Sequence, residues 1–163
     1  MKIIFLDIDG VLNSDTWEKT ESYRNGTYPE NMFDPVAVRL LNKIIERTNA
    51  KVVLTSTWRL KFSLFEMNQL FIKVGIDCDL IDFTPDLKKN NDYTLRGNEI
   101  LKWCKDNSDV IGTKYLNYTD FIILDDNSDM LYWQSKYFFQ TDKLCGLSET
   151  LAREAIRMLQ RNH

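Results

Sequence analysis

Residues 2–9 read KIIFLDID. Four apolar residues, β-branched and aromatic, run into acids at Asp7 and Asp9, the pattern of a parallel strand buried on both faces with a polar carboxyl end. The pattern recurs in KVVLT at 51–55 and in FIIL at 121–124, which meets Asp125-Asp126. DLIDF at 79–83 and the stretch 137–140 are weaker versions. Helical spacing fills the intervals. Asp34-Pro35 reads as an N-cap with proline in the first turn, and Ala37, Leu40, Leu41, Ile44 and Ile45 follow at helical period up to about Asn49. Leu64, Met67, Leu70, Phe71 and Val74 form a second apolar stripe, stopped by Gly75. Residues 97–105 turn Ile100, Leu101 and Cys104 inward, and a last helix N-capped by Ser148 buries Leu151, Ala155, Ile156 and Leu159.

Strand and helix in alternation predict right-handed crossovers and an α/β fold: a Rossmann-like, doubly wound parallel sheet of about five strands in a single domain over 1–163. Only 47 residues separate Asp7 from Thr55, and the first helix occupies part of them, which excludes a large cap domain there. The interval from Thr55 to Arg96 is already filled by a helix and a strand. Asn25-Gly26, between Tyr23 and Tyr28, is the signal of a two-residue type I′ turn, so a small β-hairpin flap is expected after the first strand.

Composition narrows the chemistry. The one histidine, His163, is the last residue, which excludes Ser-His-Asp, Cys-His and histidine-rich zinc mechanisms. Cys78, Cys104 and Cys145 are odd in number and far apart, so neither a disulfide framework nor a zinc knuckle is expected, and a reducing cytoplasm fits. The apolar start is interrupted by Asp7 and Asp9, unlike a signal peptide or membrane span. A net charge of −3 argues against strong nonspecific binding of duplex DNA, although a local basic groove is compatible with it. No Walker A pattern is present.

The acids therefore carry the argument. In an open α/β sheet, ligands sit beyond the carboxyl ends of the strands, where this sequence places Asp7, Asp9, Thr55, Ser56, Asp125 and Asp126. At about 4 Å and an effective dielectric near 20, each like-charged pair costs on the order of 4 kcal/mol. Four carboxylates in one cleft thus require protons or a bridging cation. An all-oxygen ligand set points to a hard ion, Mg²⁺, and Mg²⁺ points to phosphoryl chemistry.

DIDGVLN at 7–13, TSTWR at 55–59, RGNEI at 96–100 and LDDNSDM at 124–130 resemble the four ordered motifs of the haloacid dehalogenase (HAD) superfamily of phosphohydrolases. TSTWR, RGNEI with Trp103, and QTDKLCGLSETLAREAI at 140–156 look most like the HAD domain of Swiss Army Knife RNA-repair proteins. The resemblance implies a phosphomonoester hydrolase working through an aspartyl-phosphate. Asp7 would be the nucleophile and a metal ligand, and Asp9 the general acid and base, its backbone carbonyl also on the metal. Thr55 and Ser56 would hold phosphoryl oxygens beside Gly10, which turns the backbone, although both hydroxyls would equally cap the helical turn near Trp58. Arg96 would be the basic residue of the third motif, where lysine is commoner, with Lys88, Lys89 and Lys114 as alternatives. Asp125 and Asp126 would ligate the metal, and Asp129 would complete that shell or touch substrate. Arg59, Tyr23 and Arg24 are further candidate substrate contacts, and the flap aromatics Trp17, Tyr23 and Tyr28 would either stack on a base or pack over the cleft. A site without a large cap suits a bulky substrate, so an oligonucleotide end or nucleotide is the expected partner and a phosphoprotein the next. The alternatives are a phosphotransferase or mutase of the same fold, and a module that binds a phosphorylated ligand without turnover.

Overall fold

A computed structural model describes residues 1–88, 94–108 and 121–161 of the chain. Lys89, Lys114 and His163 lie outside the described residues, as does most of the irregular stretch 107–120. Five strands form one all-parallel sheet: β1 (Ile3–Leu6), β2 (Lys51–Leu54), β3 (Leu80–Phe83), β4 (Phe121–Asp125) and β5 (Phe138–Gln140), in the order β3-β2-β1-β4-β5. The order reverses at β1, which pairs with β2 on one side and β4 on the other, so the switch point lies at the end of β1. Register is in step across the centre: Leu6 pairs with both Leu54 and Leu124.

The helices cover both faces. α1 (Glu21–Asn25) is a short surface helix, followed by α2 (Pro35–Thr48), α3 (Leu64–Val74), α4 (Arg96–Asp106) and α5 (Glu149–Gln160). One face joins Ile4, Leu6, Val52, Leu54 and Leu124 to Leu41 and Ile44 of α2, Met67 and Phe71 of α3, and Ala155 and Leu159 of α5. The other joins Phe5, Val53 and Ile123 to Ile100 and Trp103 of α4 and to Tyr137. Local signals hold where they are strong. Asp34 accepts the Val36 N–H ahead of Pro35, Asn49 ends α2 in the left-handed conformation, and Ser63 with Glu66 forms a capping box, each cap contributing about 1 kcal/mol. Cys104 packs in the second core cluster and Cys78 is half-buried; burial pushes both thiols up to about 12.

The segment after β1 departs from expectation. No hairpin forms there. Residues 17–19, α1 and residues 30–32 are three short helical turns. A type I′ turn needs positive φ at both central residues, whereas Gly26 has φ −81° and closes α1. Its lack of a side chain serves packing instead, since a Cβ there would meet the Asn31 Cβ at 2.6 Å. Asn31 fixes the turn by donating its side-chain amide to the Tyr23 carbonyl at 2.9 Å, and its own carbonyl accepts from the Trp17 indole at 2.8 Å. Among the described residues there is no cap domain, and no helix is long and apolar enough to cross a membrane.

Candidate active site

The parallel ladder runs one residue past the central strands. Asp7 N–H donates to the Leu124 carbonyl at 2.9 Å and Thr55 N–H to the Leu6 carbonyl at 2.8 Å. Asp7, Thr55 and Asp125 are thereby fixed side by side at the carboxyl edge. Asp7 is 4 % exposed, and Thr55, Ser56 and Asp125 are fully buried. Oxygens of Asp7, Asp125 and Asp126 all lie within 4.8 Å of one another. Burial drives the Asp125 carboxyl up to about 8, with the charge of Asp7 adding to it. Burial likewise raises Asp7, against the pull of Arg96 and of hydrogen bonds from Ser56 and the Ile8 N–H, and it raises Asp126. Asp125 Oδ1 accepts the Asn127 N–H at 2.9 Å, but buried Oδ2 has no hydrogen-bond partner. An orphaned carboxylate oxygen among three crowded acids is the arrangement a hard divalent cation satisfies, so these residues fit a Mg²⁺ ion.

Asp9 stands apart from that group. Its carboxylate accepts the Trp58 indole N–H at 3.2 and 3.1 Å and the Asn13 amide at 2.9 Å. Asn13 Oδ1 in turn accepts the Gly10 N–H at 2.8 Å, which closes the Asp9–Asn13 loop on itself. Gly10 is required there: φ is +74°, and a Cβ would strike the Asp126 carboxylate at 2.5 Å. With its N–H used by Asn13, Gly10 shapes the loop rather than donating to a phosphate. The Ser56 hydroxyl accepts the Trp58 N–H at 3.4 Å and lowers the Asp7 carboxyl against the effect of burial, so it lies between the turn and Asp7. Thr55 Oγ1 and Arg96 Nη1 are buried polar atoms with no hydrogen-bond partner. Arg96 Nε lies 3.9 Å from Asp125 Oδ2.

A cavity of about 470 Å³ opens at this edge, with Asp7, Asp9, Gly10, Arg96, Asp126 and Lys143 among its walls. Four expected substrate contacts are not brought to it. Arg59 is tied up in a buried pair with Glu99 at 2.7 Å and donates to the Thr55 and Ser56 carbonyls at 2.9 and 2.7 Å. Tyr23 and Arg24 belong to α1, outside the cavity walls, with the Tyr23 hydroxyl donating to Met32 Sδ at 3.4 Å. Asp129 accepts the Arg96 N–H at 3.1 Å and its carbonyl takes the Gly97 N–H at 3.1 Å, so it anchors the start of α4 instead of joining the three-carboxylate group.

A family model for the HAD domain in Swiss Army Knife RNA repair proteins matches residues 3–152. The chain belongs to this family. Searches among curated proteins and among solved structures found no match. Membership places the HAD domain described here among phosphohydrolases of a superfamily that generally uses Mg²⁺, in keeping with the buried acidic group at its switch point. Sequence reasoning missed Trp58 and Asn13 as partners of Asp9 and Lys143 as a wall of the cavity. Trp58 reads as core, and it is core: 5 % exposed and stacked on Phe62 at 5.5 Å, with only its N–H turned to the site. Lys143 had a usable signal, since QTDK follows the last strand at the same sheet edge.

Proposed function

We propose that this HAD domain is a Mg²⁺-dependent phosphomonoesterase that acts through an aspartyl-phosphate on Asp7. The observation that carries the reading is the convergence of three crowded carboxyls, Asp7, Asp125 and Asp126, with Arg96, whose buried Nη1 has no hydrogen-bond partner, at the edge where the cavity opens. Five acids and two bases line that cavity, so a phosphate dianion enters it only together with positive charge. Asp7, Asp125 and Asp126 would hold Mg²⁺, with the Asp9 carbonyl as a further ligand; the ion supplies charge neutralisation and polarises a phosphoryl oxygen.

The chain's own groups account for the rest. Asp7 attacks phosphorus, its bond to phosphorus forming as the bond to the leaving oxygen breaks. Arg96 and Thr55 take up phosphoryl charge through the N–H and O–H groups that are otherwise unpaired. Asp9, held at both carboxylate oxygens by Trp58, donates its proton to the leaving alkoxide. It then removes a proton from the water that attacks the phosphoryl group, releasing phosphate and restoring Asp7. The short helical turns after β1 leave the cavity accessible to a bulky leaving group, which together with the family supports a nucleic-acid end or a nucleotide as substrate. The test is phosphate release with Mg²⁺ from 3′- and 5′-phosphorylated oligonucleotides, mononucleotides, sugar phosphates and phosphopeptides. Release from none of them would overturn the reading, and trapping of radiolabelled phosphate on wild type but not on Asp7→Asn would secure the intermediate.

A further inference from the structure

Away from the cavity, two rows of basic residues run along neighbouring helices. Arg39, Lys43 and Arg47 recur every four residues on α2, and Arg153, Arg157 and Arg161 do so on α5 and its C-cap. Residues four apart share a helix face, and α2 packs along α5, which sets the rows on either side of a groove. That groove, about 370 Å³, is lined by Lys43, Arg47, Arg153, Ile156, Arg157 and Gln160. The Gln160 amide donates to the Arg47 carbonyl at 2.9 Å and joins the two walls.

All five arginines are exposed, and among the described residues none of them enters an ion pair. Lys43 pairs with Glu149 at 2.6 Å, and Glu46 and Glu154 are the other acids on these helices. Six basic against four acidic residues, Asp34 included, make these two helices and their caps +2 in a chain of net −3. Self-repulsion of that kind is offset by an anionic partner. Five of the six bases are arginine, whose planar fork suits the paired oxygens of phosphates. Four residues of helix rise about 6 Å, and each row repeats that step, so the charges are spaced for a polymer of regular period rather than for the irregular acids of a peptide. No aromatic side chain lines the groove, so its contacts go to a backbone and not to bases.

We propose that the α2/α5 groove is a docking site for the phosphodiester backbone of a single nucleic-acid strand. It is a binding surface separate from the cavity, and it stands whether or not the cavity turns substrate over. The test is fluorescence anisotropy with a dye-labelled RNA of about a dozen nucleotides ending in hydroxyls, so that the cavity has no terminal phosphate to engage. Wild-type affinity should fall with salt at about −0.7 in log–log slope for each phosphate neutralised. The double variant Arg153→Glu/Arg157→Glu should bind at least about tenfold more weakly at low salt and flatten the slope by about 1.4. Arg39→Glu/Arg47→Glu should do the same from the α2 side, where Arg47 lines the groove and Arg39 continues its row. The substituted side chains are exposed; melting curves check folding, and glutamine versions replace any variant that fails to fold.

Unchanged affinity and slope in both double variants would overturn the proposal. So would displacement of the RNA by polyglutamate at equal charge concentration, which would assign the groove to an acidic protein. Binding that responds to the arginines while p-nitrophenyl phosphate is not hydrolysed would overturn the phosphatase reading alone. Hydrolysis without RNA binding would overturn the groove alone.

Discussion

Two buried charge clusters lie side by side at the carboxyl edge of the sheet, and they are built on opposite terms. Around Arg59, the guanidinium meets Glu99 at 2.7 Å and two backbone carbonyls, while Glu99 also accepts the Leu87 N–H at 3.2 Å. The charges cancel inside the protein. Around Asp7, three carboxylates converge with an orphaned oxygen on Asp125, and Arg96 keeps an unpaired buried nitrogen. There three carboxyls face one guanidinium, and the charges do not cancel within the cluster. Burial alone therefore does not mark a functional group, and neither does one unpartnered atom, since Arg59 Nε has no hydrogen-bond partner either; an excess of like charge among buried groups does.

The comparison breaks most decisively at the nucleophile. Asp7→Asn should cut Mg²⁺-dependent phosphate release by about 10³-fold or more while leaving the metal-free protein at least as stable, since a like charge is removed. A steady-state assay and a denaturant melt read the two halves, and retained turnover would sink the proposed mechanism. Next in size, Arg59→Ala or Glu99→Gln should destabilise the fold by about 3 to 5 kcal/mol, because each strands a buried charged or polar partner. Urea unfolding checks this, and a loss of activity without a loss of stability would return Arg59 to the substrate.

Mg²⁺ should stabilise wild type by about 2.7 kcal/mol at a hundredfold excess over its Kd and should shift the melting of Asp125→Asn far less. A smaller effect follows from pH. Asp125 titrates near 8 when folded against about 3.9 unfolded. Its contribution to metal-free stability is whole below about pH 4 and is lost as pH rises towards 8, at no more than about 1.4 kcal/mol per unit. The stability difference between wild type and Asp125→Asn should carry that slope in EDTA, and saturating Mg²⁺ should flatten it.

Much of the Asp7 cluster was legible from the chain because strand ends and acids are both local signals. KIIFLDID and FIILDD place their acids at strand ends by pattern alone, and the switch-point rule brings those ends together. Pairings between distant segments were less legible. Arg59 and Glu99 are 40 residues apart and meet only through the packing of α4 beside the residues after β2, so nothing local separates a buried clamp from a substrate contact. The same holds for Trp58 and Asp9, 49 apart. The hairpin failed for a related reason. Asn25-Gly26 carries a true turn signal, but Asn31 claims the space above Gly26 and the tertiary contact outweighs the local preference.

The aligned Leu6, Leu54 and Leu124 act as a ruler for the gene as well as for the sheet. A single-codon deletion within β1, β2 or β4 would draw its strand end back by about 3.3 Å and turn the following acid or threonine to the opposite face. No side-chain adjustment recovers a half-turn of that kind. Within those short strands the chain therefore tolerates a substitution far better than any change of length.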